Sequence, residues 1–203
     1  MFTLTRPTEA EIIGHLIAQK QCSFSYADPG MTRDGSCPAG FQCDRHRVLL
    51  GHGRDVFEAA RDAVREWKMF PTEMATLYWP DRPIEVGTIV DVQFRAGMFW
   101  SINPARIVYT MDETLEDRVR FGFAYGTLPD HLERGEERFQ VEWHRHDDSV
   151  WYDLLAASRP NHALAYVGYP IVRIQQRRFR QLSGKSMQAA VAAVSARSAV
   201  AIC

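Results

Sequence analysis

A glutamate at the start of an aromatic strand, Glu137, is the side chain best suited to acid–base chemistry. Because side chains alternate between the two faces of a strand, Glu137 shares a face with Phe139, whereas Glu136 lies opposite with Arg138. A carboxylate among aromatic rings must be paired or have a raised pKa. Glu137 is therefore predicted to act as a general acid or base, or to anchor a ligand. The alternative is a strand-end carboxylate that meets solvent or a helix arginine such as Arg173.

A histidine in the turn after the preceding strand is the second candidate for proton transfer. His131 follows Tyr125 and the turn that begins at Gly126. Because histidine titrates near neutral pH, His131 is predicted to act as a proton shuttle. The competing interpretation is a loop histidine that hydrogen-bonds its own turn. Tyr125 and Tyr26 supply hydroxyl groups that are candidate partners of Glu137.

Two cysteines and two histidines lie close together in the first quarter of the chain, at Cys37, Cys43, His46 and His52. Their spacing matches no zinc template, so we expect loop thiols near histidines and no metal site. No complete nucleotide loop, nucleophile elbow or zinc-protease motif occurs in the sequence. No cofactor is therefore predicted.

The elements that must position these residues are five strand-like segments, at 89–94, 99–110, 119–125, 137–144 and 150–156. Short turns separate them, which predicts an antiparallel meander. Alternation places the aromatic side chains of the last three strands on one face, where they are expected to line a cavity. The predicted ligand-binding residues are Tyr26, Phe121, Phe123, Tyr125, Thr127, Phe139, Trp143, Tyr152 and Arg173.

Helices precede and follow these strands. Thr8 and Glu11 form a capping box that predicts a helix over 8–20, and apolar spacing predicts a second over 56–67. A long helix is predicted from Ser158 to about Gly184, kinked at Pro170, with a further Ala-rich helical stretch at 186–196. The order predicts an α+β fold, in which a curved antiparallel sheet wraps a long C-terminal helix in a helix-grip arrangement. Residues 1–184 are expected to form a single domain and 185–203 an Ala-rich tail.

Composition narrows the function classes. The 203 residues include 24 basic and 25 acidic side chains, a balance that argues against a nucleic-acid partner. No apolar run reaches the ~18 residues of a membrane span, so no stable membrane insertion is expected. A cytoplasmic protein with reduced thiols is predicted. The basic run Arg177-Arg178 with Arg180 is typical of a solvated helix face, and its functional interpretation is contact with an acidic partner or membrane headgroups.

Several motifs together resemble one known family. The stretch Gly122 to Pro129, with His131, 135–137 and Phe139, resembles the signature of the DUF1990 family, also called UPF0548. Further matching pieces lie at 24–26, 50–53, 158–160 and 170–173, so the resemblance covers roughly residues 22–183. That family resembles the lipid-transfer and pollen-allergen-like superfamily, whose members bind hydrophobic ligands or, in some branches, act as cyclases or hydrolases. The resemblance implies a helix-grip fold and leaves the reaction open.

Three functions follow from these observations. The leading prediction is a module that binds a small hydrophobic or amphipathic molecule between the sheet and the C-terminal helix. The second is an enzyme that uses Glu137 or His131 as general acid or base on a small substrate. The third is a non-catalytic interaction protein whose core is filled by its own side chains. The oligomeric state is left open.

Overall fold

The computed structural model describes residues 2–78, 82–96, 99–161 and 169–200. Within those ranges, no helix combines the length and the apolar character needed to cross a bilayer. The regular structure of these described residues consists of one antiparallel sheet and three helices. The predicted α+β fold with a curved sheet against a long C-terminal helix is confirmed.

The strands of the described residues are β1 (Phe2–Thr3), β2 (Gln42–His52), β3 (Ala75–Tyr78), β4 (Ile89–Ala96), β5 (Phe99–Ser101), β6 (Pro104–Thr114), β7 (Arg118–Thr127), β8 (Glu133–His144) and β9 (Ser149–Pro160). They pair in the order β1-β5-β4-β6-β7-β8-β9-β2, with β3 added on β4. Strands β6 to β9 form the predicted meander. The segment predicted as one strand over 99–110 is two strands, because Asn103 at the break bonds the Asp91 carboxylate and the Val92 carbonyl instead of continuing a ladder.

The first helix, α1 (Glu9–Gln19), begins as the capping box predicts. The Glu11 amide donates to the Thr8 hydroxyl, and the Thr8 amide donates to the Glu11 carboxylate at 2.7 Å. These two bonds satisfy backbone donors that a helix start leaves without partners. Ile12 and Leu16 on one side of α1 are buried against the sheet.

The second helix, α2 (Arg54–Arg65), covers part of the sheet face that we call the inner face, the one turned towards α2 and the long C-terminal helix. Its buried side chains include Phe57, Ala60 and Val64, as the helical spacing predicts. The chain then turns at Trp67, whose backbone adopts a φ of 57°, and directs Trp67 and Phe70 into the same core. Helix α2 and this turn fill one half of the inner face.

The third helix, α3 (Tyr169–Val200), differs from its prediction at both ends. Residues 158–160 do not begin the helix but end β9, where Pro160 is paired with Glu133. Residues 162–168, in the first half of the predicted helix, lie outside the described residues. Pro170, where a kink was predicted, occupies the first turn of α3, and a residue in the first turn needs no backbone hydrogen-bond donor.

Helix α3 also does not end at Gly184. A Cβ there would lie 2.9 Å from Nε2 of His46, so glycine allows the helix to pack closely on β2. The helix continues because Met187 and Val191 are buried in the main core. The first part of the segment predicted as a tail is therefore packed against the domain.

A loop of residues 22–41 crosses the opposite, outer face of the sheet. Tyr26 packs on Gly126, where a Cβ would come within 2.2 Å of the Tyr26 hydroxyl, so only glycine permits this close contact. A disulfide joins Cys37 to Cys43 at the start of β2. The expectation of reduced thiols is wrong for this pair, because the turn between them brings their Cα atoms to 5.8 Å.

Candidate functional site

A cavity of about 240 Å³ lies between the inner face of the sheet and the first half of α3. It occupies the half of the inner face that α2 leaves open. Its apolar wall includes Phe94, Ala156, Val172 and Phe179. The space lies at one end of the sheet.

Glu137 projects into this cavity from β8. Tyr125 and Ala156 flank it on the neighbouring strands, each directly opposite Glu137 in the register. The Tyr125 hydroxyl donates to Oε2 of Glu137 at 2.5 Å. Burial raises the pKa of the Glu137 carboxyl to about 7; the Tyr125 hydrogen bond opposes this rise, and the nearby Glu133 charge adds to it. Near neutral pH, Glu137 is thus poised between its protonated and ionised forms.

The two oxygens of the Glu137 carboxylate differ in their hydrogen bonding. Burial, followed by the charge of Glu137, raises the pKa of the Tyr125 hydroxyl well above its ordinary value, so Tyr125 remains a neutral donor. It fixes Oε2. Within the part of the chain that the structure describes, no group hydrogen-bonds to Oε1, and the side chain keeps part of its surface open to the cavity. Oε1 is therefore the oxygen that the described residues leave without a hydrogen-bond partner.

A second carboxylate, Glu133, faces the same cavity. Burial raises its pKa, while Gln176 of α3 donates to both of its oxygens, at 2.6 and 2.7 Å. Arg173 donates to the side-chain oxygen of Gln176 at 2.7 Å and forms a two-pronged ion pair with Asp44 of β2. Arg180 also contacts Asp44, at 3.2 Å. This network fixes the orientation of α3 over the cavity.

His131 lines the cavity from the turn between β7 and β8. The amide of Glu133 donates to its Nδ1 at 3.0 Å. Burial lowers the pKa of His131 to about 3, so the ring is neutral at physiological pH. This hydrogen bond matches the interpretation of His131 as a loop histidine that bonds its own turn. Because His131 also lines the cavity, it is still a candidate for ligand contact.

Of the nine residues predicted to bind a ligand, Tyr125 and Thr127 line the cavity. Phe123 and Phe139 lie on the expected face but are completely buried. The ring centroid of Phe123 is 4.8 Å from that of Trp67, and Phe139 lies 5.4 Å from Phe70. These rings are covered because the turn after α2 packs on them, a tertiary contact that strand alternation cannot reveal.

The remaining five predicted residues also lie outside the cavity lining. Phe121 lies beneath the guanidinium groups of Arg61 and Arg65. Trp143 packs on Phe57, and the Tyr152 hydroxyl contacts Ser183 of α3 at 2.7 Å. Arg173 belongs to the ion-pair network rather than to the cavity wall. Tyr26 lies on the outer face, where its hydroxyl donates to Glu136 at 2.7 Å.

Glu136, next to Glu137 in the chain, anchors the outer-face loop. Its carboxylate accepts hydrogen bonds from the Tyr26 hydroxyl, from the amides of Gly30 and Thr32, and from the Thr32 hydroxyl. The prediction that Glu136 and Glu137 point to opposite faces holds. The outer position of Glu136 is nevertheless buried, because the loop covers it.

Sequence reasoning missed the helix side of the cavity and the second carboxylate. Glu133 shares strand parity with Glu137, so a strand predicted to begin four residues earlier would have revealed it. Phe179 and Gln176 lie on the helix face that closes the cavity, and helical spacing alone does not tell which face that is. Among the described residues, no group of three or more His, Cys, Asp and Glu side chains is arranged to hold a metal ion.

Comparison with known proteins gives one family. The family described as "Domain of unknown function (DUF1990)" matches residues 25–186. A UPF0548 protein of Dictyostelium discoideum is 33% identical over 195 residues, which cover 88% of this chain and 90% of the relative. A UPF0548 protein of Deinococcus radiodurans is 33% identical over 194 residues, covering 88% and 92%.

Solved structures with a similar course of the chain have low sequence identity. A norcoclaurine synthase point mutant from Thalictrum, in complex with a transition-state analogue, is 11% identical with a TM-score of 0.49, covering 79% of this chain and 99% of that one. A START superfamily protein from Mycobacterium smegmatis is 13% identical with a TM-score of 0.48, covering 76% and 99%.

Proposed function

The chain belongs to the DUF1990 family, and from its cavity we propose that it binds a small amphipathic molecule whose polar end hydrogen-bonds to Glu137. The observation that carries the proposal is the unequal use of the two Glu137 oxygens. Tyr125 holds Oε2, whereas no group of the described residues bonds Oε1 of this side chain, which lines a cavity with largely apolar walls. A pre-oriented polar group in an apolar pocket is the usual design of a small-molecule site.

The size of the cavity limits the ligand. Its volume of about 240 Å³ lies just below the usual range for drug-sized ligands, so a compact molecule fits better than a long acyl chain. Phe94, Phe179 and Ala156 would contact its apolar body, and Glu137 its polar end. Because the Glu137 pKa of about 7 allows both forms, a ligand that donates a hydrogen bond favours the ionised carboxylate, and one that accepts favours the protonated form.

The first experiment is native mass spectrometry of the purified protein, followed by a thermal-shift screen of small aromatic and aliphatic alcohols, amines and acids. We expect a bound mass or a reproducible shift in the wild type. Glu137→Gln keeps the shape of the side chain but changes its charge and hydrogen bonding, and should weaken binding by about tenfold or more. Glu116→Gln, an exposed substitution in the β6–β7 turn, is the matched control and should bind as wild type.

An apo mass together with no thermal shift for any compound would contradict the proposal. It would favour the prediction of an interaction protein with a filled core. Binding that survives unchanged in Glu137→Gln would separate the two parts of the proposal, because a ligand would then occupy the cavity without using the carboxylate. Thermal unfolding of both variants in the absence of ligand checks that each remains folded.

Acid–base catalysis is the second candidate, and the Glu137 pKa of about 7 favours it specifically. A general acid or base is most effective when its pKa lies near the working pH. His131 fits this role less well, because its pKa of about 3 keeps the ring neutral. If a screen of small carbonyl and aromatic substrates finds activity, Glu137→Gln should lower kcat by roughly 10²- to 10⁴-fold, and the wild-type rate should titrate near pH 7. Activity that Glu137→Gln retains would exclude this mechanism.

A further inference from the structure

Helix α3 carries an exposed stripe that its packing does not explain. Ile171 and Ile174 are 63% and 66% exposed. Arg177 and Arg178, also exposed, lie three and four residues beyond Ile174 and so share its side of the helix. Neither arginine forms an ion pair with any residue that the structure describes. We call these four residues the α3 stripe.

The α3 stripe borders the cavity. Val172, Gln176 and Phe179, on the other side of the same turns, line it. Ile171 belongs to both surfaces, since it is exposed to solvent and also contributes to the cavity wall. The stripe therefore lies next to the part of α3 that lines the cavity.

We propose that the α3 stripe docks the protein on a membrane surface that carries anionic headgroups. Two arginines attract such a surface, at about a fivefold gain in partition for each residue near it. The neighbouring isoleucines can enter the boundary between headgroups and acyl chains.

The size of the stripe favours a membrane over an acidic protein. A stable protein–protein interface typically engages about 20–30 residues on each partner. Four residues on one helix face fall far short of that number, whereas interfacial binding to lipid needs only a few apolar and basic side chains. The docking proposal depends only on the α3 stripe. The idea that docking serves to exchange a ligand with the membrane rests on the proposed function.

The test is co-sedimentation of the full chain with vesicles of phosphatidylcholine alone, or of equal parts phosphatidylcholine and phosphatidylserine. We expect binding to the anionic vesicles, little binding to the neutral ones, and weaker binding as salt increases. Arg177→Gln with Arg178→Gln should reduce binding to anionic vesicles by about tenfold or more, and Ile174→Ser by about fivefold.

Matched controls lie elsewhere on the surface. Val86→Ser removes an apolar side chain that is 66% exposed, and Arg145→Gln removes an exposed charge. Both variants should bind vesicles as wild type does. Absence of binding to anionic vesicles, or full binding by the Arg177/Arg178 variant, would overturn the proposal. Glu137→Gln separates the two proposals, because it should lower cavity binding and leave vesicle binding intact.

Discussion

The charge on Glu137 forms at an energetic cost, because folding removes water from the carboxyl and, among the described residues, no cation lies in contact with it. Its pKa of about 7 exceeds the ordinary value of 4.5. The folded state therefore binds more protons than the unfolded state between these two pH values. By linkage, the free energy of unfolding falls as the pH rises through this window and stays lower above it.

Replacing Glu137 by Gln should remove that pH-dependent loss. We expect Glu137→Gln to be more stable relative to wild type at pH 8 than at pH 4.5, by about 1–3 kcal/mol. Urea unfolding of both proteins at the two pH values measures the difference. Burial also raises the pKa of Asp91 to about 7. Asp91 contributes a similar slope of unfolding free energy against pH in both proteins, so the comparison isolates Glu137. An equal stability difference at both pH values would contradict the assignment.

The Tyr125 hydroxyl should set how far this pKa rises. Its hydrogen bond stabilises the ionised carboxylate, so Tyr125→Phe should raise the Glu137 pKa above 7. An NMR titration that follows the side-chain carbon of Glu137 measures it. Tyr109→Phe is the matched control, because the Tyr109 hydroxyl contacts Thr32 at 2.8 Å on the outer face. A downward shift in Tyr125→Phe, or an equal shift in both variants, would contradict the role of this bond.

Strand alternation predicted the placement of individual side chains where the backbone is regular. It put Glu137 and Tyr125 on the inner face and Glu136 on the outer one, because a strand allows only two directions. It did not predict which inner side chains stay accessible, since this depends on where Trp67 and Phe70 pack. Tyr26 lies in a loop, where no periodicity indicates a direction, so the prediction that Tyr26 lines the cavity rests on residue type alone.

The elements differ in how far local signals determine them. The capping box of α1 and the apolar spacing of α2 are local, and the structure follows both. The course of α3 past Gly184 depends instead on close packing against His46 and on burial of Met187. Because glycine commonly follows the last residue of a helix, Gly184 by itself predicts a helix end. The tertiary contacts of α3 override this local signal.

The loop of residues 22–41 should depend on its disulfide for part of its order. The bond between Cys37 and Cys43 closes a short loop, for which chain entropy predicts a stabilisation of about 2 kcal/mol. We expect a reductant, or Cys37→Ser with Cys43→Ser, to lower the free energy of unfolding by about that amount. The double variant is also the control, since a reductant should not change it further. A wild type whose stability the reductant leaves unchanged would contradict this contribution.

The molecule as a whole divides its inner face into a filled half and an open half. Helix α2 and the turn after it supply the aromatic side chains that cover Phe123 and Phe139. Helix α3 crosses the other half and leaves the cavity beside Glu137. Side chains therefore fill one half of the inner face, and the proposed ligand would lie in the other half. The two halves use different side chains of the same strands, so we expect that stability and ligand binding can be changed separately.

A pair of substitutions tests this division. Phe139→Ala removes a completely buried ring from the filled half and should cost about 3–5 kcal/mol of stability. Ala156→Leu adds a side chain into the open half, beside Glu137, where the cavity can accept it. Overpacking a full core typically costs about 1–3 kcal/mol, so Ala156→Leu should cost less than about 1 kcal/mol if the space is empty. Urea unfolding measures both effects, and the thermal-shift screen should lose its response in Ala156→Leu alone. A large loss of stability in Ala156→Leu would mean that side chains already fill this half, and that the chain is built as a scaffold rather than around a ligand.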